Sequence, residues 1–279
     1  MHRDRTLADR FLRHLGVPRD RPTVDTLHRL VGAHQHAVRW ETLTKIIDAE
    51  ELEQSGSVLP EIGVYIERII ERGGGGTCWT HARGFHWLLT ELGFEAHYIY
   101  MDSGHLCLRV ELDQPWYADV GYGAPLFRAY PLLESFTIEH PQERFVYRVR
   151  ESDVLVTRDP GPEKVLELPP RRFEDFTDRI ADANIWREGS FLTRLELHGY
   201  IDGVATRLSE NRLRRWHPGG ATEQVLDDLE IRDLLAGAFR FDPDIYFRAR
   251  EIRAARMVRH GIPAYKPPNA AEPARTSSA

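Results

Sequence analysis

The hydrophobic period of this chain changes from helical to strand-like at Gly93, and that change limits the fold more than any other feature. Upstream, apolar residues fall three and four apart, as on one face of a helix: Leu7, Phe11 and Leu15, then Leu27, Leu30 and Val31, then Ile62, Tyr65, Ile66, Ile69 and Ile70. Gly73 to Gly76 follow, a run that no helix carries through. Thr77 can cap a new helix from Cys78, with Trp79, Phe85, Leu88, Leu89 and Leu92 inward and Gly93 as its stop. Downstream, Ala96–Tyr100, His105–Leu112 and Trp116–Val120 alternate as strands, the last two forming a hairpin through Asp113, Gln114 and Pro115. Phe145–Val149, Val154–Val156, Val165–Leu168, Phe191–Leu197 and Val204–Leu208 extend the β region. From Ala221 a helical pattern returns through Val225, Leu226, Leu229, Ile231, Leu234 and Leu235. Helices first and antiparallel strands second make the chain α+β.

The 279 residues are 42% apolar and include six Trp, enough for a sizeable core. A net charge of −6, with arginines scattered among Asp and Glu, argues against nucleic acid as a partner. No apolar run is long enough for a membrane span, and the charged start of the chain has no secretory h-region, so a cytoplasmic location is expected. Only Lys45, Lys164 and Lys266 are lysines. Two cysteines, Cys78 and Cys107, exclude a disulfide scaffold and a Cys-rich zinc site.

Cys78 is the strongest chemical candidate. It stands in the first turn of a helix after a glycine run, where free N–H groups and the helix dipole favour a thiolate and could hold an oxyanion. The competing reading is a small buried hydrophobe after a flexible joint. A thiol needs a base, and an imidazole needs an acceptor on its second nitrogen, which directs attention to His105 and Asp119. Parity puts both on one face of the hairpin. In the simple pairing, however, Asp119 opposes Arg109, four residues or about 13 Å from His105, so the spacing alone does not bring them together. Cys107, mid-strand with no helix terminus or glycine beside it, reads as packing. No Gly-Lys-Ser/Thr follows the glycine run, against a phosphate loop. His34, His36, His81, His86 and His97 raise a metal reading, but His81 and His86 are five apart and lack an accompanying carboxylate, so no metal is expected.

Gly75-Gly76-Thr77-Cys78-Trp79, the later His105, and Asp119-Val120-Gly121-Tyr122-Gly123 resemble the arylamine N-acetyltransferase family, with its R-G-G-x-C-F-E-x-N, later His and D-V-G-F-G. Phe11 to Gly16 is similar to that family's opening helix and turn, His34 to Leu43 to its H-x-x-x-I-P-F-E-N-L, and Ser190-Phe191 to its S-x-F segment. The resemblance covers about residues 6 to 215. It implies a Cys–His–Asp triad of Cys78, His105 and Asp119. It also implies an N-terminal helical bundle (1–94) carrying the cysteine, a central antiparallel β-barrel (95–208) carrying the other two, and a C-terminal α/β lid (209–262). A disordered tail (263–279) is expected after that. The implied reaction is ping-pong transfer through an acyl-cysteine, from acetyl-CoA or another acyl thioester as co-substrate to an arylamine or hydrazine, with no permanently bound cofactor. Trp79, Trp116, Tyr122 and Gly123 are expected at the substrate site. The chain departs from the family at Thr80 and Ala82 after the cysteine, at Gly74 in place of an Arg before it, and at Arg39 and Thr42 beside the retained Glu41. These departures leave two alternatives open: an amide synthase of antibiotic biosynthesis fed by an acyl carrier protein, and a thiol hydrolase.

Overall fold

A computed structural model describes residues 2–52 and 59–263; the expected tail lies outside the described residues from position 264 on. The helices are α1 (His2–Leu15), α2 (Val24–Ala37), α3 (Leu43–Glu51), α4 (Ile62–Arg72), α5 (Cys78–Glu91), α6 (Thr177–Asp182), α7 (Asp228–Leu234) and α8 (Pro243–Arg259). The strands begin with β1 (Trp40–Glu41), β2 (Glu95–Met101), β3 (His105–Glu111), β4 (Pro115–Ala118), β5 (Tyr130–Pro131) and β6 (Phe136–Glu139). They continue with β7 (Arg144–Val149), β8 (Asp153–Asp159), β9 (Lys164–Glu167), β10 (Glu196–Ile201), β11 (Val204–Ser209), β12 (Arg212–His217) and β13 (Gly220–Val225). No described helix is long and apolar enough to cross a membrane.

The chain forms two compact units. One comprises the residues through Ala37 together with Cys78–Asp175. Its eight strands form an antiparallel sheet in the order β5-β4-β3-β2-β9-β8-β7-β6. The sheet's edges are joined by rings rather than by backbone bonds: Tyr130 stacks on Phe136 at 4.2 Å, and Phe136 on Tyr147 at 4.3 Å. The result is a nearly closed barrel. Alternation fills it with Ile99, Tyr117, Leu126, Phe145, Tyr147, Val156 and Leu166, while α5 packs outside on β2 and β3.

The other unit comprises Val38–Thr77 and the described residues from Phe176 on. Its five-stranded sheet, β1-β10-β11-β12-β13, shares a core with α3, α7 and α8 through Leu43, Ile46, Leu197, Leu208, Leu235, Phe241 and Ile245. Gly73 ends α4 in the left-handed region at φ +67°, and a Cβ there would stand 2.0 Å from the Arg240 carbonyl oxygen.

Two segments differ from the sequence expectation. Phe191–Thr193 is a 3₁₀ turn, closed by the Thr193 backbone and hydroxyl on Ser190 O at 3.1 and 2.8 Å, so the strand begins only at Glu196. Gly220–Val225 is β13, paired with β12 across the two-residue turn Pro218-Gly219. The helix starts later, where Asp227 accepts from the Leu229 and Glu230 N–H groups and Glu230 reaches back to the Asp227 N–H in a capping box.

Candidate active site

Cys78 opens α5, and its Sγ donates to the Gly104 carbonyl at 3.6 Å. His105 opens β3 immediately after that glycine. Asp119 follows the last residue of β4. His105 Nε2 and Asp119 Oδ2 are 2.7 Å apart, both side chains buried. With Nε2 on the carboxylate, Nδ1 is the ring nitrogen left for another partner, and Cys78 is among the groups that raise the ring's proton affinity.

The hairpin register explains how they meet. Glu111 pairs with Pro115 and Leu108 with Ala118, so the turn falls one residue earlier than the sequence reading placed it. That moves the pairing by two: continued past Ala118, it sets Asp119 opposite Cys107 rather than Arg109. His105 is then a diagonal neighbour, within reach of a side chain.

Asp119 is anchored from three directions. Besides His105, it accepts from Tyr117 Oη at 2.7 Å and from the Gly121 N–H at 2.9 Å. Gln35 donates from Nε2 to the Asp119 and Tyr122 carbonyls at 3.1 and 3.2 Å, fixing the loop from α2. A Cβ on Gly121 would stand 2.9 Å from Cys78 Cα and 3.0 Å from its Cβ, so the absent side chain is what lets this loop lie against the first turn of α5. Sequence reasoning missed Tyr117 and Gln35, and it marked Gly121 only as part of the Asp119-to-Gly123 motif. Tyr117 and Asp119 share a strand face, a signal that could have pointed to the tyrosine.

Gly121→Ala is expected to destabilise the fold by about 1–3 kcal/mol, because backbone atoms must yield. It should also slow alkylation of Cys78 by about 10²-fold through misplacement. Gly219→Ala, with nothing within 4 Å of its Cβ, should stay within about 0.5 kcal/mol of wild type. Urea unfolding and iodoacetamide kinetics on both variants check this.

Burial opposes the charge on His105, but Asp119 and Cys78 outweigh it and push the ring up to about 9. Burial likewise works against the Asp119 carboxylate, yet His105, Tyr117 and the Gly121 N–H hold it below the usual value. A proton bound more tightly in the folded state stabilises it fully below the unfolded value near 6.5, and the contribution is lost as pH rises through about 9. The stability difference between wild type and His105→Gln should therefore shrink from pH 6.5 to 9.5, as measured by urea unfolding at each pH. A difference that stays constant would contradict the assignment.

The other expected site residues are distributed unevenly. The Tyr122 ring meets His105 edge-on at 5.6 Å. Trp79 is buried in α5 beside Cys78 in the chain. The Gly123 carbonyl accepts from Gln142 Nε2 at 2.7 Å. Trp116 bonds Asp113 at 3.0 Å and packs on His28 at 5.3 Å, and it does not line the cavity beside His105. His105, Cys107 and Asp119 present donor atoms within 4.8 Å of one another, a spacing that could hold a metal ion. Those atoms are already engaged, however: His105 with Asp119, and the Cys107 thiol with the Ile99 carbonyl at 3.6 Å. Burial, reinforced by Asp119, pushes the Cys107 thiol well up, against metal binding as a thiolate.

Upstream of Cys78, the glycine run is held within its own unit. Glu41, fully buried, accepts from the Thr44 N–H at 2.8 Å, the Thr44 hydroxyl at 2.5 Å and the Gly75 N–H at 3.0 Å. A Cβ on Gly74 would stand 2.9 Å from Cγ of Arg68, so the Arg68 stem fills space that a side chain at position 74 would need. Arg39 donates from Nε to the Phe239 carbonyl at 3.2 Å, and Thr42 from its hydroxyl to the Arg194 carbonyl at 2.5 Å. Three of the positions that depart from the family pattern, Arg39, Thr42 and Gly74, thus have contacts of their own.

A buried thiol at the start of a helix and, in the same unit, an imidazole bonded to a carboxylate are the groups that a cysteine-dependent transferase or hydrolase uses. A family model described as N-acetyltransferase matches residues 23–245. The arylamine N-acetyltransferase of Mycolicibacterium smegmatis is 24% identical over 273 residues, covering 89% of this chain and 97% of that one. The arylamine N-acetyltransferase structure from Mycobacterium abscessus superposes with a TM-score of 0.74 at 21% identity, covering 88% and 94% of the two chains. That from Mycobacterium marinum in complex with CoA gives 0.71 at 19%, covering 88% and 96%. That from Bacillus cereus, with a Cys-His-Glu catalytic triad, gives 0.68 at 16%, covering 85% and 98%. The chain belongs to the arylamine N-acetyltransferase family of cysteine acyltransferases.

Proposed function

We propose that the protein transfers an acetyl group from acetyl-CoA to an arylamine or hydrazine nitrogen, with Cys78 as nucleophile, His105 as base and Asp119 as the carboxylate that orients it. The observation that carries this reading is the 2.7 Å bond from His105 to Asp119, on a ring whose other nitrogen is left for Cys78. His105 Nδ1 takes the thiol proton as Sγ attacks the thioester carbonyl. The tetrahedral intermediate collapses, the C–S bond to CoA breaks, and the departing thiolate takes the proton from His105. An amine then attacks the acyl-cysteine, His105 removes its proton, and the Cys78 sulfur leaves. Asp119 stabilises the imidazolium in both halves without itself becoming protonated. Free N–H groups in the first turn of α5 would receive the oxyanion. Tyr122 supplies flat apolar surface for an aromatic acceptor, with Trp79 and Gly123 as further parts of the substrate site; Trp116, packed on His28 away from the cavity beside His105, is not kept in it. A reducing cytoplasm suits a chain whose two cysteines are both free.

A thioester donor should give a burst of about one thiol per enzyme, then slow turnover, because the acyl-cysteine must outlast water until an amine arrives. An aromatic amine should restore turnover saturably, with parallel double-reciprocal lines across donor concentrations. Steady hydrolysis indifferent to every amine would favour a thiol hydrolase. A burst from an acyl carrier protein thioester but not from acetyl-CoA would favour an amide synthase.

A further inference from the structure

Val154 and Val156 face the interior of the barrel, and by alternation Arg158 does too, cross-strand from Phe145. A guanidinium at the end of an apolar column needs a reason. Its counter-charge is Glu143, which stands just before β7 and bonds Arg158 Nε at 2.5 Å, both side chains largely buried. An ion pair buried this far regains in attraction roughly what it costs to strip of water, so stability alone does not account for it. The contacts of Arg158 supply another reason. Its Cζ lies 4.5 Å over the centre of the Tyr122 ring and 5.5 Å from that of Phe145. A Cβ on Gly161 would stand 3.1 Å from Nε and 3.2 Å from Cζ, so that glycine leaves room for the guanidinium. Tyr122 in turn meets Phe145 at 5.9 Å and His105 at 5.6 Å, its plane nearly perpendicular to both. The Tyr122 carbonyl accepts from Gln35. The backbone of this residue is therefore held from α2 and its ring from β8.

We propose that Arg158, fixed by Glu143, is a positioning residue for the reaction: it acts through Tyr122, whose ring it pins against His105 so that the imidazole keeps one orientation. This rests on the reading of Cys78, His105 and Asp119 given above. The Asp119 carboxylate holds the imidazole at Nε2 and leaves the tilt of the ring about that bond open. A neighbouring ring at 5.6 Å limits the tilt, and with it the direction in which Nδ1 points. The guanidinium favours this arrangement because a cation is attracted to the electron-rich face of a tyrosine, most strongly where little water competes. A base misplaced by about 1 Å can lose about 10²-fold in rate, so a side chain that touches neither substrate can still affect the chemistry.

Arg158→Met combined with Glu143→Gln removes the cation without leaving a lone buried carboxylate. In single-turnover acylation by acetyl-CoA, this double variant should release thiol about tenfold more slowly than wild type. Arg158→Lys keeps a charge beside Glu143 but not the flat guanidinium, and its rate should fall between the two. In a Tyr122→Leu background the same substitutions should cost nothing further, because the ring through which Arg158 acts is gone. NMR of the His105 ring, identified by its loss in His105→Gln, gives a readout that a change in stability alone would not move. The ring current of Tyr122 displaces the imidazole signals, and freeing Tyr122 should bring them toward their positions in Tyr122→Leu. An unchanged acylation rate in the folded double variant, the same loss with Tyr122→Leu already in place, or His105 signals that stay where they are in wild type would each overturn the proposal. Should the double variant not fold, Arg158→Lys decides by the same two readouts. Failure of acetyl-CoA to acylate Cys78 in the wild type would instead count against the catalytic reading, and the His105 signals would still decide whether Arg158 acts through Tyr122.

Discussion

Replacing His105 with glutamine is expected to slow acylation of Cys78 by about 10³-fold or more, while circular dichroism stays that of the wild type. The imidazole is bonded to Asp119 at 2.7 Å, and its proton affinity, raised by Asp119 and Cys78, makes it an effective acceptor for a thiol proton. Glutamine can keep a donor on Asp119 Oδ2, so the buried carboxylate retains a partner and the loss reports on the base. His105→Ala should lose at least as much rate and some stability too, because it leaves a cavity and an Asp119 short of one donor. Single-turnover release of thiol from acetyl-CoA measures the step directly. A near wild-type rate in either variant would remove His105 from the mechanism.

Asp119→Asn should be nearly as damaging, by about 10³–10⁴-fold, although it changes one atom. Asp119 Oδ2 accepts from both His105 Nε2 and Tyr117 Oη, and Oδ1 accepts from the Gly121 N–H. An amide keeps Oδ1 as an acceptor but turns an NH₂ toward the ring. That selects the tautomer with its proton on Nδ1, facing Cys78, where the nitrogen can no longer accept. It also removes the charge that stabilises the imidazolium. The raised His105 pKa should therefore fall back toward or below 6.5, which NMR titration of the ring would show. A variant that lost activity but kept a ring titrating near 9 would mean that Asp119 acts by some other route.

The candidate nucleophile stood out because its signal is local: a glycine run and a cysteine in the first helical turn need no tertiary information. The pairing of His105 with Asp119 did not. A one-residue change in where the β3–β4 turn falls moves every cross-strand partner by two, and turn composition does not fix that position. Gly121 and Gln35 act through contacts between segments far apart in the chain, so the motif around Gly121 does not show its packing on Cys78, and nothing in the neighbourhood of Gln35 marks it. The β12–β13 hairpin was hidden because Val225, Leu226 and Leu229 satisfy a helical spacing, while the strand run Arg212–His217 carries charge on both faces. Of the barrel strands, β2, β3, β4, β7, β8 and β9 were readable from alternation, whereas the short β5 and β6 were not.

In the proposed reaction the acyl group rests on Cys78. Incubation of the intact chain with acetyl-CoA, acid quench and peptide mapping by mass spectrometry tests this directly. One acetyl group per chain is expected on the peptide containing Cys78, removed when an arylamine is added before the quench. Cys107, whose thiol is buried against the Ile99 carbonyl and held protonated, should stay unmodified. Acetylation of Cys107, or of no cysteine while acetylated amine still accumulates, would contradict it.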